Sequence, residues 1–331
     1  MTDQRIRDLL QEVADGVEPG DRLGAIRAAT VHGRRTHRGW WAAGGAGLVA
    51  ASVVTAVALT SGGTPRPSEP APAHEGTATT TGTDSATSRV VPVYFVGDTP
   101  SGPRLYREFL KPTGGVSAET FALDAALHGD ALDPDYRSSW PADASAGPYS
   151  MSSDLIRITL TGDLRDRPAG MSEEDARLAI EQVIRTAQGV FGRGRVPVQL
   201  SLGDGPADQV LGVSTSEPLG NAPDLSVLAH VSLSDPFEGQ VVDNDEPLVV
   251  RGAANSFEGN VVTRIQRWEG TEVVAEEPTI AGTYENKLFP FEITFDLSSV
   301  PPGDYVVISR TDDPSGEGRF DTDTRRITVV D

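Results

Sequence analysis

The chain reads as three parts: an N-terminal transmembrane helix, an α+β domain with helices on one face of a sheet, and an all-β sandwich. Three observations lead there. Trp40 to Thr60 is a run of 21 residues without a charge. Residues 90–206 alternate short apolar strands with two capped, apolar-striped helical segments. Residues 231–330 hold seven short β-rich runs separated by turn residues. A bilayer core about 30 Å thick needs roughly 20 apolar residues at 1.5 Å rise each. Mixed strands and helices predict an α+β layer, and evenly spaced short strands predict two packed sheets.

Residues 1–39 are expected to be a cytoplasmic helical tail. Ile6, Leu9, Leu10, Val13 and Val17 recur on one face of a 3.6-residue period until Pro19-Gly20 breaks it. So short an apolar face is not stably buried alone, which leaves the tail either folded on itself or the membrane, or open to a cytoplasmic protein partner of residues 1–30.

The basic run Gly33-Arg34-Arg35-Thr36-His37-Arg38 precedes the apolar segment 40–60, and Trp40 and Trp41 sit at its edge. Basic residues on that side place the N-terminus in the cytoplasm and everything after about residue 61 outside the cell membrane, in a single pass. A second reading is a cleaved signal peptide, because Ala56-Val57-Ala58 has the small-x-small form of a cleavage site, although its leading region would then be 39 residues long. A soluble core helix is the third reading, and the length of the segment argues against it. Residues 61–88 are rich in Pro, Ala, Thr, Ser and Gly without any apolar period, the composition of a disordered linker. His74 falls in it without ligand neighbours.

Residues 89–206 form the α+β domain. Val90 to Val96 and Arg104 to Leu110 are strands, with Gly97-Asp98-Thr99-Pro100-Ser101-Gly102 between them. Ser117 is placed to cap a helix carrying Phe121, Leu123, Ala125, Ala126 and Leu127, and Gly129 to end it. Asp133-Pro134-Asp135-Tyr136 and Trp140-Pro141 mark an irregular crossing, and Leu155 to Leu160 alternates as a half-buried strand. Ser172 and Asp175 form a capping box ahead of the stripe Ala176, Ala179, Ile180, Val183, Ile184 and Ala187, which Gly189 ends. Val196, Val198, Leu200 and Leu202 close the sheet.

Val93-Tyr94-Phe95-Val96, Asp133-Pro134-Asp135-Tyr136, Ala179 to Thr186 and Val196-Pro197-Val198-Gln199-Leu200, in that order, resemble a GerMN-type domain of sporulation and spore-germination proteins. Family members are often anchored through a lipidated Cys. This chain has no Cys, so that mode of anchoring does not carry over.

Residues 207–228 are expected to be a linker, although Val210, Leu211, Val213, Leu219, Leu225, Val227 and Leu228 make it too apolar to be wholly solvated. Part of it, Val210–Val213 or Leu225–Leu228, should pack on a neighbouring domain. Residues 229–331 are the sandwich, with strands at 231–233, 248–252, 261–268, 272–280, 289–297, 305–309 and 325–330. Asp235-Pro236, Gly239-Gln240-Val241-Val242, Pro247 to Ala254, Phe257 to Val261, Phe291-Glu292-Ile293 and Asp313 to Glu317 resemble the immunoglobulin-like domain of bacterial spore germination proteins. That resemblance implies an immunoglobulin-like sandwich, which packed inner faces can stabilise without a disulfide.

Composition limits the chemistry. The net charge of −20 is concentrated outside: residues 230–331 carry 8 basic and 20 acidic residues. An acidic exterior excludes nucleic acid as the main partner. Without Cys there are no thiolate ligands or nucleophiles. His128 and His230 lack a second ligand at metal spacing, Asp204 lies in a glycine turn, and no hydrolase, phosphate-loop or dinucleotide motif is present. The expected catalytic, metal and cofactor sites are therefore none. The nearest approach to one is a pair of acidic clusters, Asp243-Asn244-Asp245-Glu246 and Asp312-Asp313 with Asp321 and Asp323. They would supply oxygen ligands for calcium only if the fold gathered them at one end of the sandwich. The functional expectation is a non-enzymatic, membrane-anchored cell-envelope protein whose outer modules bind envelope proteins or a cell-wall component. The alternative is a transmembrane regulator that couples outer binding to a cytoplasmic partner of residues 1–30.

Overall fold

The computed structural model describes residues 90–203, 205–282, 285–312 and 319–331. The expected tail, membrane segment and spacer of residues 1–88 lie outside the described residues, as do Asp204 and Asp313. Among the described residues no helix is long and apolar enough to cross a membrane.

The first domain opens with an antiparallel hairpin, β1 (Val91–Thr99) and β2 (Gly102–Leu110). Helix α1 (Ala118–His128) starts at Ser117, whose side chain accepts from the Thr120 amide, and ends at Gly129. Gly129 has φ 77°, and a Cβ there would lie 2.9 Å from the Ser138 nitrogen, so only glycine fits this left-handed stop. β3 (Ser145–Met151) and β4 (Ile156–Thr161) pair antiparallel, and α2 (Glu173–Val190) crosses over to β5 (Val198–Leu202), which lies parallel to β4. The capping box at Ser172 and Asp175 forms in full.

Two sequence expectations need correction here. The strands divide between a two-stranded sheet, β1–β2, and a four-stranded sheet, β3–β4–β5 with β6 (Gly205–Pro206) at its edge. Helix α2 is therefore not laid on one face of a single sheet. Its apolar stripe packs with Ile156, Ile158, Leu160, Val198 and Leu200, while its polar side serves the hairpin. There the Gln182 amide donates to the Tyr94 and Ala126 carbonyls, and Thr186 Oγ1 accepts from the Tyr94 amide. β3 had no counterpart in the sequence reading, because an exposed edge strand with Gly147 and Pro148 in a bulge has no apolar alternation.

Residues 207–228 do not form a free spacer. They make two short paired strands, β7 (Gln209–Val210) and β8 (Val213–Ser214), and a single turn of helix, α3 (Asp224–Val227). Val210 and Leu211 join the core of the four-stranded sheet, and Leu219 bridges to Val198. The stretch before α3 is tied to helix α2. Arg185 pairs with Glu181 at 2.7 Å and Asp224 at 3.0 Å, and donates to the Ala222 carbonyl. Gln188 and Asn221 exchange amide hydrogen bonds at 2.8 and 2.6 Å.

The second domain is a sandwich of two sheets. One has the order β14–β11–β9, and the other β10–β16–β15–β12–β13. The strands are β9 (Val231–Asp235), β10 (Gln240–Asp243), β11 (Leu248–Ala254), β12 (Asn260–Arg267), β13 (Val273–Ile280), β14 (Phe289–Phe295), β15 (Gly303–Thr311) and β16 (Thr322–Val330). β10 is an addition to the seven expected; it runs parallel to the end of β16. The inner faces bury Leu233, Val250, Ile265, Phe291, Leu297, Tyr305, Val307 and Ile327, with a Thr263–Ser309 hydroxyl pair at 2.7 Å among them. Gly252 admits the Phe291 ring, since a Cβ there would come within 2.6 Å of it. Tyr305 donates to the Pro301 carbonyl at 2.7 Å, a tyrosine clasp at a strand start of the kind immunoglobulin-type sandwiches use. Edge strand β13 carries exposed Glu277 on the core-facing side and Pro278 beside it, both of which discourage pairing with another chain.

Candidate functional site

The two domains meet along the hairpin. The outer edge of β2 takes up the chain entering β9: the Ala229 amide donates to the Leu105 carbonyl at 3.0 Å and the Arg107 amide to Ser232 Oγ at 3.3 Å. Beyond this edge, the loop after α1 plugs the end of the sandwich between β9 and β16. There it meets charged groups on the inner face of β16. Side chains alternate along a strand, so Asp323 and Arg325 share the face of Ile327 and Val329, all of them buried.

Arg325, 2% exposed, is the hub. Its Nη1 lies 2.7 Å from Asp133 Oδ2, 3.0 Å from Asp323 Oδ1 and 3.0 Å from the Tyr136 hydroxyl. Its Nη2 donates to the Leu233 carbonyl at 3.0 Å. Tyr136 donates across the seam to Asp323 Oδ1 at 2.6 Å, and Tyr106 donates to the Thr322 carbonyl at 3.1 Å. The two tyrosine rings stack with centroids 4.8 Å apart. Glu108 accepts from the Leu132 and Asp133 amides, which shapes the plug loop. Asp321 accepts from the His230 amide and sits 3.2 Å from His230 Nδ1, fixing the domain junction.

Burial dominates the electrostatics. It pushes the Asp133 carboxyl up to about 7, against the Asp135 amide and Arg325, which favour the charged form; Asp323 and Glu238 add to the rise. Burial also raises Glu108 and Glu238, and holds the Tyr106 and Tyr136 hydroxyls protonated. For Arg325 burial works the other way, but Asp323, Tyr136 and Asp133 outweigh it and keep the guanidinium charged. A cleft of about 300 Å³ opens beside the hub, lined by Gly97, Asp98, Tyr106, Asp133, Asp135, Tyr136, Thr322, Asp323 and Thr324.

The two acidic clusters are not brought together. Asp321 and Asp323 stand at the start of β16, while Asp243 pairs with Val330 at its end, about 23 Å away at 3.3 Å per residue. Asp243 Oδ1 accepts from the Asp245 amide, and Asn244 bonds to Asp331 and the Val330 carbonyl. The arrangement calcium required is absent, and no group of three His, Cys, Asp or Glu among the described residues is placed to hold a metal. His128 is exposed on the last turn of α1. Sequence reasoning missed the hub, although a signal was present: Asp323 and Arg325 continue the buried period-2 face of Ile327 and Val329, so two charges lie where the pattern calls for core.

What the geometry defines is an immunoglobulin-type sandwich fixed to an α+β partner through a buried charged seam. Residues 230–317 match a family described as the immunoglobulin-like domain of bacterial spore germination. Among curated proteins, no sequence matches the chain. Nine chains of solved structures match it. One is an endo-beta-1,4-mannanase from Thermotoga petrophila, 12% identical over 30% of this chain and 19% of that one, with a TM-score of 0.22. Another holds tandem GerMN domains of the sporulation protein GerM from Bacillus subtilis, 12% identical over 62% of this chain and 61% of that one, with a TM-score of 0.33. A third is a putative lipoprotein from Clostridium perfringens, 17% identical over 40% of this chain and 86% of that one, with a TM-score of 0.25. This chain thus spans less than two thirds of the first two. With all three TM-scores below 0.5, none of these likenesses carries an argument about function.

Proposed function

We propose that the chain is a non-enzymatic, membrane-anchored cell-envelope protein of the spore-germination kind, whose outer domains act together as one binding module for an envelope protein or cell-wall component. The observation that carries this reading is the match of residues 230–317 to the spore-germination immunoglobulin-like family, on a sandwich locked by Arg325 to the domain before it. The pattern of residues 90–206 supports a GerMN-type reading of that partner domain. The two most buried carboxylates with raised pKa at the seam are already engaged, Glu108 by two backbone amides and Asp133 by Arg325 and the Asp135 amide. They serve the seam instead of a substrate. The anchor is the apolar run 40–60, with residues 1–39 inside. The test is recovery of the full chain from membranes with its bound material, together with an assay of the purified chain on wall and peptide substrates. Co-purification with an envelope component and no turnover is the expected result. Hydrolysis that disappears on changing a single carboxylate or Ser overturns the reading.

A further inference from the structure

We propose that the seam between the two outer domains is a proton-operated latch, closed when its buried carboxylates hold a proton and loosened when that proton leaves. The argument begins with a count of desolvated charge. Glu108, Asp133 and Asp323 are all at least 96% buried, and among the described residues the one equally buried cation is Arg325. Three carboxylates facing one guanidinium leave two excess negative charges in a region shielded from water, an arrangement whose cost falls when protons bind.

Asp133 is the group placed to take one. It faces Arg325 and Asp323 from β16, Tyr106 and Glu108 from β2, and Asp135 and Tyr136 from its own loop. Glu238 approaches from the turn before β10, where Arg326 pairs with it, and Asp321 with His230 stands at the domain junction. Of these neighbours the Asp135 amide and Arg325 favour the ionised form, and burial outweighs both. Asp133 also lines the 300 Å³ cleft, which gives a proton a route in and out. The cross-seam bonds of Tyr136 and Arg325 end on these same carboxylates. A change of charge at Asp133 is therefore felt directly by the contacts that hold the domains together.

The direction follows from linkage. With the domains parted, Asp133 stands in water with an ordinary carboxylate pKa; docked, burial pushes it up to about 7. The docked state binds the extra proton, so docking is favoured at low pH and weakens as pH rises towards 7. Each pH unit between the two values changes the docking equilibrium by up to about tenfold, and above about pH 8 the dependence flattens.

Hydrogen exchange on the full chain tests this, because it registers rare openings. The Arg107 and Ala229 amides bond across the seam, while the Leu200 and Val307 amides lie within β5 and β15. After correction for intrinsic rates, protection of Arg107 and Ala229 should fall by several-fold to tenfold per unit from pH 5 to 7. Leu200 and Val307 should change less. Asp133→Asn should abolish the difference. Seam amides that track the core amides at every pH, or a slope that survives Asp133→Asn, overturn the latch. Should Asp133→Asn fail to fold, the carboxyl carbon of Asp133 in the native chain decides: a midpoint near 7 supports the latch, and one at or below 5 overturns it.

Discussion

Replacing Arg325 with Met is the sharpest perturbation of the seam. Met fills much of the volume but leaves Asp133 and Asp323 facing each other without a cation, and the Leu233 carbonyl without its donor. Removing one partner of a buried ion pair costs about 3–5 kcal/mol. A second route is open to the variant: a stranded buried carboxylate can take a proton. From a reference pKa of 3.9, neutralising it costs about 5.6 kcal/mol at pH 8 but about 1.5 kcal/mol at pH 5. At pH 8 the burial penalty is the smaller of the two and sets the loss; at pH 5 protonation caps it. We therefore expect Arg325→Met to lose about 3–5 kcal/mol at pH 8, and about 1.5–3.5 kcal/mol less at pH 5. For a unit of this size that is a fall in melting temperature of about 6–20 °C at pH 8. Urea titration and thermal melts of the full chain at both pH values measure it. A loss below about 1 kcal/mol at pH 8, or equal losses at the two pH values, would refute the assignment of Arg325 as the charged hub.

Smaller changes test other parts of the account. Tyr305→Phe removes the clasp to the Pro301 carbonyl and should cost about 1 kcal/mol in urea melts; no loss would make the clasp incidental. Ser172→Ala removes the capping box of α2 and should cost about 1 kcal/mol, while Ser172→Asn should cost far less. An alkaline phosphatase fused after residue 88 should be active and one fused at residue 30 inactive; the reverse pattern would invert the topology. Deleting residues 1–30 separates scaffold from regulator: a scaffold keeps its cellular phenotype, and a regulator loses it.

Where local chemistry decides structure, the sequence was sufficient. Ser117 and Gly129 bound α1, and Ser172 with Asp175 starts α2, because each supplies a hydrogen bond or a φ that few other residues supply. Six of the seven longer strands of the sandwich were legible because one face of each is buried, while edge strand β13 was marked by its Val273-Val274 start and the turn residues around it. β3 and β10 were not, since exposed edge strands with Pro148 or with Val241 facing water carry no such period. The all-round burial of α2 was also hidden. Gln182, Arg185, Thr186 and Gln188 look like a solvent face until the hairpin and the 215–224 loop bring them partners. The seam depended on long-range pairing: Asp133 and Arg325 are 192 residues apart, and no local pattern joins them.

The binding role of the outer domains is the central claim, and cross-linking in intact cells tests it most directly. A photoreactive residue introduced at Phe237 or Ile280, both exposed on the sandwich, should capture an envelope protein or wall fragment. Capture of cytoplasmic proteins alone at these positions would contradict the account.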